Sequence, residues 1–493
     1  MGEKFLNVYN KTIEMTDAQM DCIDYVGEKV LMVKGAAGTG KSAVIQYKAL
    51  KYLEEYEAGK NNKVIIFTYN KSLVRATKQI LSLNGDKSGY IKVTTPNAHF
   101  ENICLALKLD RNSICDQETK RRFVREALQE HKEAAGVHRL NRLSTDFWED
   151  EIRWMKESNV TTNDKEYYLK KLKRPGRGTN VVFSDEEKEV AFDIFSCYMN
   201  ILRRKKMVDW EDLPLYIIRH PERIPESFKY DHVLIDEAQD LSLAQMMAAM
   251  MIYKKDMFVA LDINQRLYGK HWTTKQLGIS STTKKLEAPM RTTMQIEALA
   301  ESLRAKNDDD FMDDEDDISL REIPKMLGTP PTVAMFNSLQ EEKEYVIRII
   351  RAWLKESDEI SIGILAAKKT QLDVYASWMT DAGIPKEIIK RDGDFDITKP
   401  GVKIVTTHSA KGMEFFRVII PQFNEGNFPY GYSPKLEDEK REFLIKERNR
   451  AYVAMTRARV TLNITCNKNK KSRFFDSMDR RCYDLEDMTI QTD

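Results

Sequence analysis

The sequence predicts an α/β protein of two parallel-sheet units, with a helical insertion in the first. Three observations predict it. A glycine-rich loop, Gly35-Ala36-Ala37-Gly38-Thr39-Gly40-Lys41-Ser42, joins a short apolar run, Val30–Val33, to a helical stretch, Ala43–Leu53. Apolar runs that end in polar residues then recur on both sides of a long charged, helix-patterned segment at about 101–205. A second series of such runs, alternating with helical patterns, fills the chain from about 332 onward.

The loop fits G-x-x-x-x-G-K-[ST] in the strand–loop–helix setting that the motif requires. Gly35, Gly38 and Gly40 let backbone N–H groups approach phosphate oxygens with no Cβ in the way. The helix that begins after Gly40 aims its positive end at the same charge. Lys41 is expected to reach the β- and γ-phosphates, and Ser42 to hold Mg²⁺.

The totals bound the rest. A chain of 493 residues has room for two to four domains, and 42% hydrophobic with 31% charged residues describes a globular protein. No apolar run approaches the roughly 20 residues of a membrane span. The N-terminus reads as no secretory signal, so a cytoplasmic setting without membrane partners is expected. The six cysteines form no C-x-x-C pair, which argues against a zinc site or disulfide framework. A net charge of +1 does not announce nucleic acid; such binding needs a local groove.

In chain order, residues 1–34 read as mostly helical before the first strand, with Thr16 or Asp17 as a helix N-cap. Gln19 offers an amide that suits an adenine edge. Val64–Phe67 is a buried-type strand ending in Thr68-Tyr69-Asn70-Lys71, and Val93–Pro96 is another, with Thr95 at its end. Both ends fall where open α/β sheets place ligands. Tyr69 is either a stacking face for a base or a half-buried loop aromatic. The insertion carries Trp148 and Trp154, and its basic stretch Lys170–Gly178 is either a phosphate grip or a solvated loop.

Val233–Ile235 then delivers Asp236 and Glu237 to a strand end. One carboxylate suits Mg²⁺, and its neighbour suits polarisation of an attacking water. Phe258–Asp262 is the next strand; Gln265 after it can orient that water, and Trp272 can stack on a base or fill a core. The acidic run at 306–317 lacks the spacing of a calcium loop. It reads as a solvated loop, with a regulatory segment as the sharper alternative. The second unit is expected to have strands at Thr332–Phe336, Ile360–Ala366, Val402–Thr407, Arg417–Pro421 and Val460–Thr465, with helices at 339–356, 370–382 and 437–456. Two units with one phosphate loop imply a nucleotide held in the cleft between them.

Across roughly 15–465 the ordered motifs resemble the superfamily 1 helicases of the UvrD/Rep type. The resemblance rests on Gln19, Asp209-Trp210-Glu211-Asp212-Leu213, Asp236-Glu237-Ala238-Gln239-Asp240, Thr406-Thr407-His408-Ser409-Ala410-Lys411-Gly412-Met413-Glu414-Phe415 and Glu425-Gly426-Asn427-Phe428-Pro429. A last motif, Glu447 to Ala458, is similar to the family's E-E-R-R-L-x-Y-V-A-x-T-R-A. The resemblance implies two RecA-like cores of the P-loop NTPase class. The first comprises 1–100 and 206–284, with 101–205 as its helical insertion, and the second comprises 285–493. It implies ATP and Mg²⁺ as ligands, with Lys41, Ser42 and Asp236 on phosphate and metal and Glu237 as catalytic base. It further implies Gln265 at the γ-phosphate, Arg291 and Arg457 as arginine fingers, and Glu414 on the ribose. Thr68, Tyr69, Thr95, Trp272, Thr407 and His408 would line a single-strand track.

The chain departs from the pattern in places. Pro289-Met290-Arg291-Thr292 replaces N-Y-R-S, which puts a methionine where an adenine-stacking aromatic is usual. Leu261 replaces a glycine, and the Thr95–His99 spacing leaves His99 outside the site. About 115 residues separate Arg291 from Thr406, which leaves little room for the regulatory insertion of larger relatives. The implied activity is ATP-driven 3′–5′ movement on single-stranded DNA or a single-strand-tailed duplex, with unwinding, in DNA repair or antiviral defence. The alternative is a non-unwinding DNA-stimulated ATPase or sensor that serves a nuclease partner. A small-molecule kinase would leave the second unit's motifs unexplained, and RNA remains open as the strand.

Overall fold

The computed structural model describes residues 5–8, 11–35, 39–60, 62–136, 138–172, 183–261, 272–286, 292–304, 326–390, 395–396, 399–431 and 437–487. The chain opens with an antiparallel hairpin, β1 (Phe5–Val8) and β2 (Lys11–Glu14). This corrects the helical reading of the N-terminus. The hairpin exists through docking: Asn7 and Asn84 exchange backbone and side-chain hydrogen bonds of 2.8 and 2.7 Å. Such partners are invisible to local periodicity. Helix α1 (Asp17–Ile23) follows, capped by Thr16.

The first large sheet contains β3 (Val30–Gly35), β4 (Val64–Phe67), β5 (Lys92–Thr94), β6 (Tyr230–Ile235), β7 (Tyr253–Leu261) and β8 (Thr282–Leu286). Their order is β5-β4-β6-β7-β3-β8, and every pairing is parallel. Alternate residues face opposite layers. Val30, Met32, Ile65, Phe67, Val233 and Ile235 enter one cluster, and Leu31, Val33, Val64, Ile66 and Leu234 the other. Both faces are therefore buried, as in sheets covered by crossover helices. Those helices are α2 (Lys41–Glu57), α3 (Lys71–Leu83) and α4 (Pro96–Ala106). The strand expected at Val93–Pro96 ends at Thr94. Thr95 caps α4 through its hydroxyl and Pro96 takes the first helical position, where its missing N–H is harmless.

Helices α5 (Gln117–Ala135), α6 (Thr145–Glu157) and α7 (Asp185–Lys205) surround a separate core with Trp148 fully buried at its centre. The Asp209–Leu213 stretch fastens this helical cluster to the first sheet. Asp209 Oδ2 accepts from Lys156 Nζ at 2.7 Å and Tyr198 at 2.8 Å, and Lys156 also pairs with Asp212 at 2.9 Å. Burial opposes charge on Asp209, yet Lys156 and Lys120 hold its carboxyl below the usual carboxylate range. Helices α8 (Asp212–Arg219) and α9 (Leu243–Met250) then pack on the sheet, followed by the short α10 (Thr274–Leu277) and α11 (Met294–Arg304).

The second large sheet contains β9 (Thr332–Phe336), β10 (Ser361–Ala366), β11 (Lys386–Ile389), β12 (Gly401–Thr406), β13 (Phe415–Ile420), β14 (Ala458–Asn467) and β15 (Asp484–Asp487). Their order is β11-β12-β10-β13-β14-β9-β15, again all parallel. Helices α12 (Leu339–Glu356), α13 (Lys369–Asp381) and α14 (Glu437–Met455) complete this unit. The edge strands β8, β11 and β15 were not foreseen. Edge strands keep one side open to water and so carry polar sequences such as Thr-Thr-Lys-Lys-Leu. Among the described residues no helix is long and apolar enough to cross a membrane.

Candidate nucleotide site and inter-core cleft

Parallel pairing brings the ends of β3, β4, β6 and β7 to one sheet edge. Lys34 lies beside Leu261, and Ile235 beside both Phe67 and Val259. Thr68, Asp236 and the phosphate-loop flank therefore emerge together. Gly38, with Ala36 and Ala37, lies outside the described residues, as do Gln265, Arg291, the acidic run 306–317 and residues 173–178 of the basic stretch.

Gly40 caps α2 with φ of +83°, in the left-handed region. A Cβ there would meet Gln19 Nε2 at 2.3 Å. Gln19 lies against the loop because both ends of its amide are used. Oε1 accepts from the Thr16 N–H at 2.9 Å, and Nε2 donates to the Thr39 carbonyl at 3.0 Å. A Cβ at Gly35 would likewise meet Thr39 Oγ1 at 2.4 Å. Lys41 is buried, with Nζ 2.7 Å from the Gly35 carbonyl. The ammonium thus folds back along the glycine-rich loop.

Ser42 hydrogen-bonds the Asp236 side chain. Burial pushes the Asp236 carboxyl up to about 6, the charge of Glu237 adds to this, and Ser42 and Lys41 draw it back. Glu237 adopts φ of +53°, a strained conformation for a residue with a Cβ and one that clusters at functional sites. Its N–H donates to Asp236 Oδ1 at 3.0 Å, and the Gln239 amide donates to its carboxylate. A hydroxyl and a carboxylate side by side, beside a second acid, form an oxygen donor set suited to Mg²⁺. Burial first, and the charge of Glu237 second, disfavour the ionised Asp236 carboxylate, and a bound cation would offset both. The residues therefore fit the metal.

The second unit supplies the opposite wall. After β12 the chain turns through Thr407–Gly412. Lys411, 1% exposed, donates to Asp240, 2% exposed, at the end of the acidic motif of the first unit. Its ammonium also lies 5.0 Å from the centre of the Tyr69 ring. Tyr69 meets the exposed His408 edge-on, with ring centroids 6.3 Å apart. Gly412, at φ of +78°, admits α3 closely: a Cβ there would meet Leu73 Cδ1 at 2.7 Å. Elsewhere on α3, Gln79 Nε2 donates to the Phe395 carbonyl at 2.9 Å. Lys446 of α14 bonds Asp150 of α6 at 2.7 Å.

The candidate track residues divide. Tyr69 and His408 come together across the cleft. Thr68 and Thr407 are buried beneath them, with N–H groups donated to the carbonyls of Thr94 at 3.1 Å and Ala366 at 2.9 Å. Thr95 is partly exposed at its helix cap. Trp272 is half-buried on the first core and donates its indole N–H to the Leu241 carbonyl at 3.1 Å. Arg457 is buried within the second unit, donating to the carbonyls of Val453 at 3.0 Å and Met413 at 3.2 Å, directly behind the half-buried Glu414. His99 is buried away from the cleft among Phe67, Phe228 and Tyr230.

Two contributors are not legible in the sequence. Lys411 stands there only as one residue of a motif, and its partner lies 171 residues away. Arg450 bonds Thr407, Ala367, Asn427 and Glu447. Its signal was its place in the last motif, where the family pattern has leucine.

Residues 15–277 match the model of the UvrD/REP helicase N-terminal domain, and residues 389–469 that of the UvrD-like helicase C-terminal domain. The chain is 22% identical over 258 residues to the ATP-dependent DNA helicase PcrA of Staphylococcus aureus, covering 49% of this chain and 32% of that protein. It is 30% identical over 184 residues to the mitochondrial ATP-dependent DNA helicase HMI1 of Saccharomyces cerevisiae, covering 34% and 26%. A probable DNA helicase II homolog of Rickettsia conorii is 44% identical over 70 residues, covering 14% and 10%. The matched stretch thus spans about a third or less of each relative's length.

Proposed function

The chain belongs to the UvrD/REP helicase family, and from that premise and the geometry of its cleft we propose that it is an ATP-driven motor on single-stranded DNA. Its two parallel sheets are the two RecA-like cores of the family fold. We assign 1–100 and 206–284 to the first core, 101–205 to its helical insertion and 285–493 to the second.

The observation that carries the reading is the contact among Asp240, Lys411, Tyr69 and His408. It joins the acidic motif of the phosphate site to the candidate strand track. ATP is the substrate. The backbone of Gly35, Gly38 and Gly40 and the Lys41 ammonium bind its phosphates, Gln19 its adenine and Glu414 its ribose. Ser42 and Asp236 would hold Mg²⁺, which when bound neutralises phosphate charge. Glu237, held by Gln239, accepts the proton of the attacking water. Gln265 orients that water, and Arg291 and Arg457 offset the charge that develops on the transferred phosphoryl group. For Arg457 this requires leaving the carbonyls it now bonds. Tyr69, Trp272 and His408 stack on or border the bases, with Thr68, Thr95 and Thr407 shaping the track. ATP draws the cores together, and its hydrolysis lets them part, so that grip on the strand alternates.

The direction is 3′–5′ and the setting is cytoplasmic DNA repair or antiviral defence. Strand displacement from duplexes with a 3′ or a 5′ tail tests the reading, with Lys41→Ala as blank. Displacement confined to the 3′-tailed duplex supports it. ATP-dependent movement without displacement points instead to a translocase that serves a nuclease. Absence of both movement and displacement contradicts the proposal.

A further inference from the structure

Two rims face each other across the candidate track, and they meet twice. The first rim runs from Tyr69 through Thr68, whose N–H donates to the Thr94 carbonyl at 3.1 Å, to Thr95 at the cap of α4. In the first turn of α4, Asn97 accepts from Gln245 Nε2 of α9 at 2.7 Å. Trp272 joins just ahead of α9, through the Leu241 carbonyl at 3.1 Å. Helix α6 of the insertion packs on α9, and Asn159 beyond its end donates to Met247 Sδ at 3.8 Å. Asp150 lies on α6. The second rim is shorter. His408 follows Thr407, whose hydroxyl accepts from Arg450 Nη1 of α14 at 3.4 Å. Lys446 stands one turn before Arg450 on the same helix. The rims touch at one end where Tyr69 meets His408 and Lys411 reaches Asp240. They touch at the other where Lys446 Nζ lies 2.7 Å from Asp150 Oδ2.

The two closures differ in strength. Lys411 and Asp240 are almost fully buried, so parting them strands charge away from water. Lys446 and Asp150 keep 48% and 31% of their side chains exposed, and Asp150 still has Arg153 at 2.9 Å when Lys446 leaves. An ion pair of that kind is worth little and weakens with salt. The passage between the rims therefore opens at the α6–α14 end. When Tyr452-Val453-Ala454 are matched to the helicase pattern, Lys446 stands where that pattern has glutamate. A glutamate there would repel Asp150, so the contact is a feature of this chain. We propose that Asp150 and Lys446 form a clasp across the strand passage, which parts to admit an internal stretch of single strand and shuts over it. The helical insertion is then one wall of a closed ring, and not the flank of an open groove. The proposal rests on the single-stranded DNA reading above.

The test is the full chain with Asp150→Cys and Lys446→Cys joined by bismaleimidohexane. Cys197→Ser and Cys482→Ser remove the partly exposed thiols, and the remaining native cysteines are buried. The probes are fluorescein-labelled oligo(dT) of one length, linear and covalently circularised. Before crosslinking, this variant should bind both probes alike, which excludes a folding defect. Crosslinked in advance, it should lose the circle and keep the linear strand, which threads from an end. Crosslinked after loading, it should stay on the circle in salt that strips it from the linear strand, since salt releases phosphate contacts and not a topological link. Equal binding of circle and linear strand by the chain crosslinked in advance, with release of both in salt after loading, overturns the proposal. Loss of both probes on crosslinking in advance overturns it as well, because a free end needs no opening. If the wild type itself binds neither probe, it is the DNA reading that fails.

Discussion

Lys411 of the second core and Asp240 of the first form an ion pair that is almost fully buried, the ammonium also facing Tyr69. A buried charge stripped of its partner is costly, about 3–5 kcal/mol, whereas replacing both charges by neutral groups costs far less. Asp240→Ala should therefore destabilise the contact more than the double variant with Lys411→Met. A double-mutant cycle on the unfolding midpoint reads this coupling. Additive effects of the two substitutions would show that the pair does not join the cores in solution.

Gly40 is required twice over, for its positive φ and for the space that Gln19 fills. Gly40→Ala should weaken ATP binding at least about 10-fold, since a left-handed residue with a Cβ costs about 1–2 kcal/mol before any clash. Adding Gln19→Ala removes the clash but leaves the backbone strain and takes away the adenine contact, so the double variant should bind ATP more weakly than Gln19→Ala alone. Titration with a fluorescent ATP analogue measures both. Equal affinity of the double variant and Gln19→Ala would assign the whole Gly40→Ala effect to crowding.

Asp209 is the centre of the fastening between the helical insertion and the first core. Asp209→Asn leaves the fully buried Lys156 with Asp212 as its remaining partner. We expect a loss on the order of 3 kcal/mol and faster proteolysis within α5–α7. Unchanged thermal midpoint and cleavage pattern would contradict this role.

Burial pushes His99 from an ordinary 6.5 down to about 4, with the charge of Lys92 adding to it and the Phe228 carbonyl opposing it. Between these values the unfolded chain binds a proton that the folded chain excludes. Stability from this group is intact above about pH 6.5 and falls as pH drops toward 4. The full loss is about 3 kcal/mol at about 1.4 kcal/mol per unit. His99→Leu should flatten the dependence of thermal midpoint on pH within that window. Parallel curves for both proteins would show that His99 is accessible to protons when folded.

Much of the site was legible because its motifs are local. A glycine loop between β3 and α2, or two acids closing β6, carries its chemistry in adjacent residues. The strands with both faces buried were legible for the same reason, as continuous apolar runs. The hairpin β1–β2 and the edge strands were not, since their stability comes from partners such as Asn84 and from neighbouring strands. Nor were the pairings that hold the cleft. Lys411 finds Asp240, and Arg450 finds Thr407, only after the two cores meet.

The most direct measurement is ATP hydrolysis by the purified chain with no nucleic acid, with single-stranded DNA and with RNA, using Lys41→Ala as blank. Strong stimulation by single-stranded DNA that vanishes in the blank is expected of an ATP-driven motor on single-stranded DNA. Equal hydrolysis in all three conditions would mean that the strand does not gate the cleft, and would contradict that function.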